Sequence, residues 1–314
     1  MKKNEIKLLD TSLLKKKNHL QKITYWLRAL NRPNGWHYDL DQIWVLEELK
    51  KNKVKPGSTI LDAGAGYGVM QFILADLGYN IISLDYSNRN IEKIAMKFFK
   101  ISSNINNNLN YFHKYMDHIE YETNLFKKKK FKIIIKRINF KSLLYIFKYI
   151  LKILISKIYL LFDIFNKKNR GQIKFIRAPI HKMPIKSNSI DAIISISAIE
   201  HADINLFDQN IREMKRVLKK KSILLITTNF TNKKDIFFDE FTQAWCFSYK
   251  FIKKKFNKNF NIYFNIKKTI SSFKSSKIFF NRLDDYYTKN KNFFLYKKNI
   301  KEFPYLPMAI KIFK

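Results

Sequence analysis

Asp62, Gly64, Gly66 and Gly68 stand at alternate positions in the run Leu61-Asp62-Ala63-Gly64-Ala65-Gly66-Tyr67-Gly68. Glycine at every second residue lets bare backbone close on a bound molecule, because no side chain blocks the approach. The short apolar run Thr59-Ile60-Leu61 ahead of it reads as a buried strand, and residues 69–77 behind it read as an apolar helix. A strand, a glycine turn and a helix N-terminus in that order make a cradle for a small molecule. Asp85, 23 residues after Asp62, closes a second apolar run at 80–84. A carboxylate at such a strand tip can accept both hydroxyl protons of a ribose. Glu200 and His201 form a second group with chemistry, since a histidine can exchange a proton near neutral pH. The alternative for that pair is a purely structural role in shaping the turn.

The dinucleotide fingerprint needs a third glycine at position 69, which is Val69. The spacing here is D-x-G-x-G-x-G, which resembles motif I of the class I S-adenosylmethionine-dependent methyltransferases. Three further segments follow in the family's order. The stretch Ser189 to His201 resembles its fourth strand and the S-x-S-x-x-E-H segment after it. Residues 211–218 resemble the helix before the fifth strand, and 223–228 that strand itself. The resemblance is closest to the group that includes the ubiquinone and menaquinone biosynthetic enzymes.

The resemblance implies S-adenosyl-L-methionine as cofactor. Backbone at Ala63, Gly64, Ala65 and Gly66 would take the methionine end, with Asp62 orienting the turn and Gly68 completing it. Asp85 would hold the ribose, Tyr86 would flank the adenine, and Ser197 would line the same pocket. Glu200 and His201 are the candidates for acid–base work. Two departures stand out. The family's acidic residue five positions before the proline after the third strand is replaced by Pro179, ahead of Pro184, so the adenine contact falls to His181 or a backbone carbonyl. Metal-binding relatives carry E-x-x-E-H, where this chain has Ser197 in the first position, so no metal is expected.

Those residues must be positioned by a Rossmann-like, doubly wound α/β sheet of seven strands, which is what the resemblance implies. Residues 1–58 read as an N-terminal helical lid, with Trp36, His37 and Tyr38 as substrate-side candidates or core aromatics. The cofactor-binding core spans 59–100 and 173–230, with a helix over 88–100 and a third strand at 173–177. Residues 231–314 form an acceptor-side region, with helices over 237–280, a last strand at 308–313 and its antiparallel partner at 292–296.

Between the two halves of the core, residues 101–172 read as a basic, apolar helical insertion. Its centre, 143–162, has about the length of a membrane span. Lys148, Lys152 and Lys157 lie inside it, each costing roughly 2.5–3.5 kcal/mol at mid-bilayer, which argues against spanning. Lys141, Lys148 and Lys152 share one helical face, Lys157 lies nearly opposite, and lysine runs flank the segment at 127–130 and 167–168. That pattern suits a helix lying in an anionic lipid interface; packing on the core or on a second copy is the alternative.

The chain has 314 residues and a formal net charge of +36. Of its 61 basic residues only nine are arginine, the residue that reads bases and phosphates with a planar fork. DNA is therefore not expected as a partner, and RNA is supported by charge alone. The single cysteine, Cys246, fits a reducing, cytoplasmic setting, with peripheral contact at the inner membrane face. The expected activity is methyl transfer to a small-molecule, lipid-linked or glycan-linked acceptor. The alternatives are an RNA or protein methyltransferase, or a scaffold that keeps the fold without catalysis.

Overall fold

The computed structural model describes residues 3–30, 34–87, 93–103, 169–240, 242–256, 259–282 and 305–314, together with 32, 89, 91, 151, 158, 286, 287 and 303. Apart from Leu151 and Ile158, the expected helix at 143–162 lies outside those residues, as do the lysine runs around it and the expected strand at 292–296.

In chain order the elements begin with β1 (Asn4–Leu8), α1 (Lys17–Ala29), β2 (Asn34–Gly35), α2 (Tyr38–Lys51) and β3 (Thr59–Ala63). There follow α3 (Met70–Asp76), β4 (Asn80–Asp85), α4 (Lys93–Phe98), β5 (Ile101–Ser103), β6 (Ile173–Arg177) and β7 (Ile190–Ile196). The second half carries α5 (Phe207–Val217), β8 (Leu218–Thr231), β9 (Phe237–Asp239), β10 (Ala244–Ser248), α6 (Tyr249–Lys255) and β11 (Phe260–Tyr263). It ends with α7 (Ile266–Ser275), α8 (Lys277–Arg282), β12 (Tyr286–Tyr287) and β13 (Leu306–Phe313).

One 11-stranded sheet runs in the order β11-β1-β13-β8-β7-β3-β4-β6-β5, with β10 and β9 attached beside β8. From β5 to β8 every pairing is parallel. β13 reverses, antiparallel to both β8 and β1, and β9 pairs antiparallel with β10. From β3 the chain winds outward to β4 and β6, then returns to the other side of β3 for β7 and β8. The direction of winding therefore switches between β3 and β7, the place where open α/β sheets bind ligands beyond their strand ends. Strands buried on both faces should read as near-continuous apolar runs. β7 does, with Ile190, Ala192, Ile193 and Ile194 all buried.

α5 shows the other pattern. Phe207, Ile211, Met214 and Val217 fall on one stripe at helical spacing and are buried together with Asn210, while Asp208, Gln209 and Arg212 are exposed. α2 is different again: apolar and acidic side chains are buried all round it. Its acids are buried because each has a partner. Asp39 pairs with Arg282 at 2.6 Å, Asp41 with His37 at 2.7 Å, and Glu48 with Lys311 at 3.1 Å. α2 is a central helix packed on β7, β8 and β13.

Several expectations are corrected here. Residues 4–8 are not part of a helical lead-in; they form β1, which inserts between β13 and β11 and enlarges the expected seven strands. Glu5 and Lys7 alternate with buried Ile6 and Leu8, a strand period that a helix-centred reading of 1–58 passed over. The helix expected over 88–100 is confined to Lys93–Phe98. The region 237–280 contains β9, β10 and β11 as well as helices. The last strand starts at Leu306 and takes its antiparallel partners from β8 and β1. No helix among the described residues is long and apolar enough to cross a membrane.

Candidate functional site

The glycine turn lies beyond the C-terminal end of β3, at the switch point. Gly64 has φ +77° and Gly66 φ +47°, left-handed conformations that favour glycine. The Gly64 and Ala65 amides both donate to the Leu84 carbonyl, at 2.8 and 3.0 Å, which draws the turn over β4. The two glycines serve different ends. A Cβ on Gly64 would stand 2.5 Å from the Ala198 Cβ, so bare backbone is required there for β3 and the segment after β7 to meet. A Cβ on Gly66 would meet nothing nearer than the Asp85 carboxylate at 4.0 Å, so that position faces open space. Gly64 closes the fold, and Gly66 opens toward a ligand.

Asp85, at the tip of β4, is 7 % exposed. One of its oxygens accepts from the Gly66 amide at 2.8 Å; the other accepts from the Ser87 amide at 2.8 Å and the Ser87 hydroxyl at 2.6 Å. A carboxylate has about four lone-pair positions. Three are used, so Asp85 ties down the turn and keeps capacity for an incoming hydroxyl. Tyr86 follows with an exposed ring, and its carbonyl accepts from Arg177.

Arg89 is the residue the sequence reading passed over. Its guanidinium is buried and donates to the Ser83 hydroxyl (2.6 Å), the Ser83 carbonyl (2.8 Å) and the Gly66 carbonyl (3.3 Å). Ser83 Oγ in turn donates to Gln71 Oε1, and Gln71 Nε2 donates to the Gly68 carbonyl at 2.8 Å. From the lid side Arg32 donates to the Tyr67 and Gly68 carbonyls. The carbonyls of residues 66, 67 and 68 are all held by side chains. A lone arginine in a loop carries no periodic signal, so nothing in the sequence marked Arg89 or Arg32.

Asp62 is buried beneath the turn. Burial pushes its carboxyl up to about 7; the Arg89 charge opposes this and the Asp85 charge adds to it. Burial pulls the Arg89 guanidinium below its usual range, against the pull of Asp85 and Asp62. The three groups form one charge-balanced cluster under the glycines.

Ser197, Glu200 and His201 follow β7. Ser197 has φ +45°, an uncommon conformation for a non-glycine residue. Its amide donates to the Thr227 carbonyl at 3.0 Å, while its buried Oγ has no hydrogen-bond partner among the described residues. Glu200 and His201 lie on a short 3-10 turn, Ile199–His201, and diverge. His201 is exposed and its Nδ1 meets the Gln243 carbonyl at 2.8 Å, which pins the loop between β9 and β10. Glu200 is 1 % exposed and accepts from the Thr228 hydroxyl at 2.9 Å. Burial pushes its carboxyl up to about 7, against its own backbone amide, Thr228 and nearby His37, with Asp41 adding to the rise. The charges of His37 and Asp41 thus act on Glu200. Asp41 was legible as the i+4 neighbour of His37.

The segment after β6, where the sequence has Pro179, is held by backbone contacts. After β6 the Ala178 amide donates to the Asp85 carbonyl at 2.9 Å, and Pro179 leads into a 3-10 turn, Ile180–Lys182. The Ile180 side chain reaches within 3.3 Å of where a Gly64 Cβ would be. An apolar wall stands there, and the His181 carbonyl is engaged by Gln209.

A family profile described as a methyltransferase domain matches residues 141–226. That range takes in β6, β7, α5 and most of β8, the strands that place Ser197, Glu200 and Thr227. That stretch of the chain is similar to a methyltransferase domain. The cofactor to which that similarity points is S-adenosylmethionine. The turn fits the cofactor: Gly66 opens to space beside Asp85, whose carboxylate keeps hydrogen-bond capacity.

Among solved structures the chain resembles a proposed methyltransferase from an antibiotic biosynthesis pathway of Anabaena variabilis (15% identity, 60% of this chain and 46% of that one, TM-score 0.31). A proposed sarcosine dimethylglycine methyltransferase of Galdieria sulphuraria matches at 14% identity over 86% of this chain and 83% of that one, TM-score 0.39. A phosphoethanolamine N-methyltransferase of Haemonchus contortus matches at 13% identity over 96% of this chain and 59% of that one, TM-score 0.44. The chain thus spans about half the length of the Anabaena protein. No curated protein matches the chain.

Proposed function

We propose that this chain methylates an acceptor bound between α2 and the strand ends of β7 and β8, on the α2 side of the glycine turn. The observation that carries this reading is the close approach of Gly64 to Ala198, which puts the cofactor turn two residues from Glu200. Methyl transfer needs the acceptor held in line, desolvated and rid of its proton where necessary. A buried carboxyl displaced toward neutral pH is suited to that last task. In this reading Ala63, Gly64, Ala65 and Gly66 line the methionine end, with Asp62 and Arg89 beneath and Ser197 alongside. Asp85 holds the ribose and Tyr86 flanks the adenine.

The acceptor is a small molecule, free or carried on a lipid or glycan, and the basic apolar segment at 126–168 supports work at an anionic membrane face. The single, buried cysteine Cys246 supports a cytoplasmic setting.

The test is calorimetry with S-adenosylhomocysteine on the full chain. Saturable one-site binding is expected, and Asp85→Ala should weaken it by about tenfold or more, the loss of a charge-assisted hydrogen bond to ribose. A wild-type chain that binds no S-adenosylhomocysteine overturns the reading.

A further inference from the structure

At the end of the sheet opposite the glycine turn, by the N-terminal ends of β3 and β7 and the first half of β8, lies a pocket of about 300 Å³. Lys53, Lys55, Ser58, Asp191, Lys221 and Ser222 are the polar residues on its wall that matter here. Its donors are unengaged: among the described residues no side-chain hydrogen bond or ion pair takes up the three lysines or the two serines. Its acceptors are taken. Asp191 Oδ1 accepts from Lys219 at 2.6 Å and Oδ2 from the Thr59 amide at 2.9 Å. In the last turn of α2 the Leu49 and Lys50 carbonyls accept from the Val54 and Lys53 amides, at 3.1 and 3.0 Å.

Lysine is abundant throughout this chain, so exposed lysines alone select nothing. Backbone conformation does. Lys53 has φ +57° and Lys221 φ +61°, the left-handed region that ordinarily goes to glycine or asparagine. Lys53 follows Asn52, the C-cap of α2, at the position where helices commonly end in glycine. Lys221 stands where β8 bulges away from β7, whose pairing jumps from Leu218 to Ile223 across two residues of β7. Its amide is held there by the Lys314 carbonyl at 2.7 Å. Two lysines on the wall of one pocket thus keep a conformation that disfavours them, and neither ammonium repays it with a contact in the fold. Backbone strain of this kind gathers where ligands bind.

A ligand for this pocket must bring acceptors and negative charge. A cation would meet three ammonium groups with no acid left to receive it. A carboxylate brings two oxygens and one charge. A phosphate monoester brings three terminal oxygens and close to two charges, which suits three ammonium groups flanked by hydroxyls. We propose that this pocket is a second ligand site that takes a phosphate monoester, of a small molecule or of a lipid head group, among Lys53, Lys55 and Lys221. Its volume stands at the small end for ligand pockets, enough for the phosphate and a few of the atoms that carry it. The five residues of β3, roughly 16 Å of strand, separate it from the glycine turn, so it stands apart from the methyltransferase reading.

Calorimetric titration of the full chain with glycerol phosphate, at constant ionic strength, tests the site. Saturable binding is expected, and Lys53→Asn with Lys221→Asn should weaken it about fivefold or more, the loss of two solvated ion pairs. Asparagine tolerates the left-handed backbone, so this pair should fold and, without ligand, unfold no earlier than the wild type. Lys55→Gln, outside the left-handed region, is a second variant that should weaken binding about twofold. Lys267→Gln with Lys268→Gln removes the same charge from exposed positions on α7 and should leave the affinity unchanged. Dihexanoyl phosphatidate, which carries the same phosphate on an acylated glycerol, separates the sources. Tighter binding than glycerol phosphate assigns the site to a lipid head group, and equal or weaker binding to a free small molecule. A wild type that binds neither, an affinity that survives in the Lys53, Lys221 pair, or an equal loss in the α7 pair overturns the proposal.

Discussion

Gly64 and Glu200 show how much single positions decide here. Replacing Gly64 by Ala would combine a left-handed backbone with a Cβ 2.5 Å from Ala198. The segment carrying Ser197 and Glu200 must then shift. Gly64→Ala is expected to lose S-adenosylhomocysteine binding by calorimetry and to destabilise the fold by about 1–3 kcal/mol, the scale of such backbone strain. Glu200 makes a second prediction, in pH. Its folded-state value of about 7 lies above the ordinary 4.5, so the fold favours the protonated acid. Its contribution is complete below about 4.5 and is lost as pH rises through 7. Asp62, also near 7 and raised from 3.8, acts in the same direction. Thermal unfolding of the wild type should therefore weaken from pH 5 to pH 8, and Glu200→Gln should flatten that dependence. An unchanged slope in the variant would sink the assignment of Glu200 as a neutral buried acid.

At the scale of elements, β1, β13 and α2 are joined through one lysine. Lys311 on β13 is 6 % exposed and lies 3.1 Å from both Glu5 on β1 and Glu48 on α2. Burial lowers its affinity for a proton, but the two glutamates outweigh burial and raise it. Removing the cation would leave Glu48 buried without its partner. Lys311→Ala is expected to cost about 3–5 kcal/mol in chemical denaturation. Adding Glu48→Gln should recover part of that loss, because the orphaned charge goes with it. Because α2 also carries His37 and Asp41, a loosened β13 should weaken acceptor binding as well. The legibility of these elements was uneven. β3, β4 and β7 could be read from apolar runs, because strands covered on both faces leave a strong signal, while β6 alternates, with Lys174 and Arg177 exposed. β1 could not, because its partners lie more than 250 residues away at Phe260–Tyr263 and Leu306–Phe313.

For the molecule as a whole, a charge of +36 on 314 residues acts at long range. Such self-repulsion destabilises the compact state and is screened by salt. The unfolding temperature is expected to rise as sodium chloride is added. Liposome flotation should find the full chain with anionic vesicles and not with neutral ones, an association lost when residues 126–168 are removed. A full chain that stays in the soluble fraction on anionic vesicles defeats the membrane reading.

The sequence alone determined the cofactor turn, the acid at the next strand tip and the order of the core strands. These are local properties: glycine spacing, apolar runs and strand-end carboxylates keep their meaning wherever the chain places them. The tertiary structure decided the rest. It turned His201 out to Gln243 and buried Glu200, although the two are neighbours in the chain. It drew Arg89 and Arg32 onto the carbonyls of the glycine turn, and it let the charges of Asp41 and His37 act on Glu200 across some 160 residues of sequence. Which side chain is desolvated, and which atom lacks a partner, depends on neighbours that only folding assembles. For that reason the glycine turn could be read from spacing, while the surroundings of each buried acid emerged only from packing.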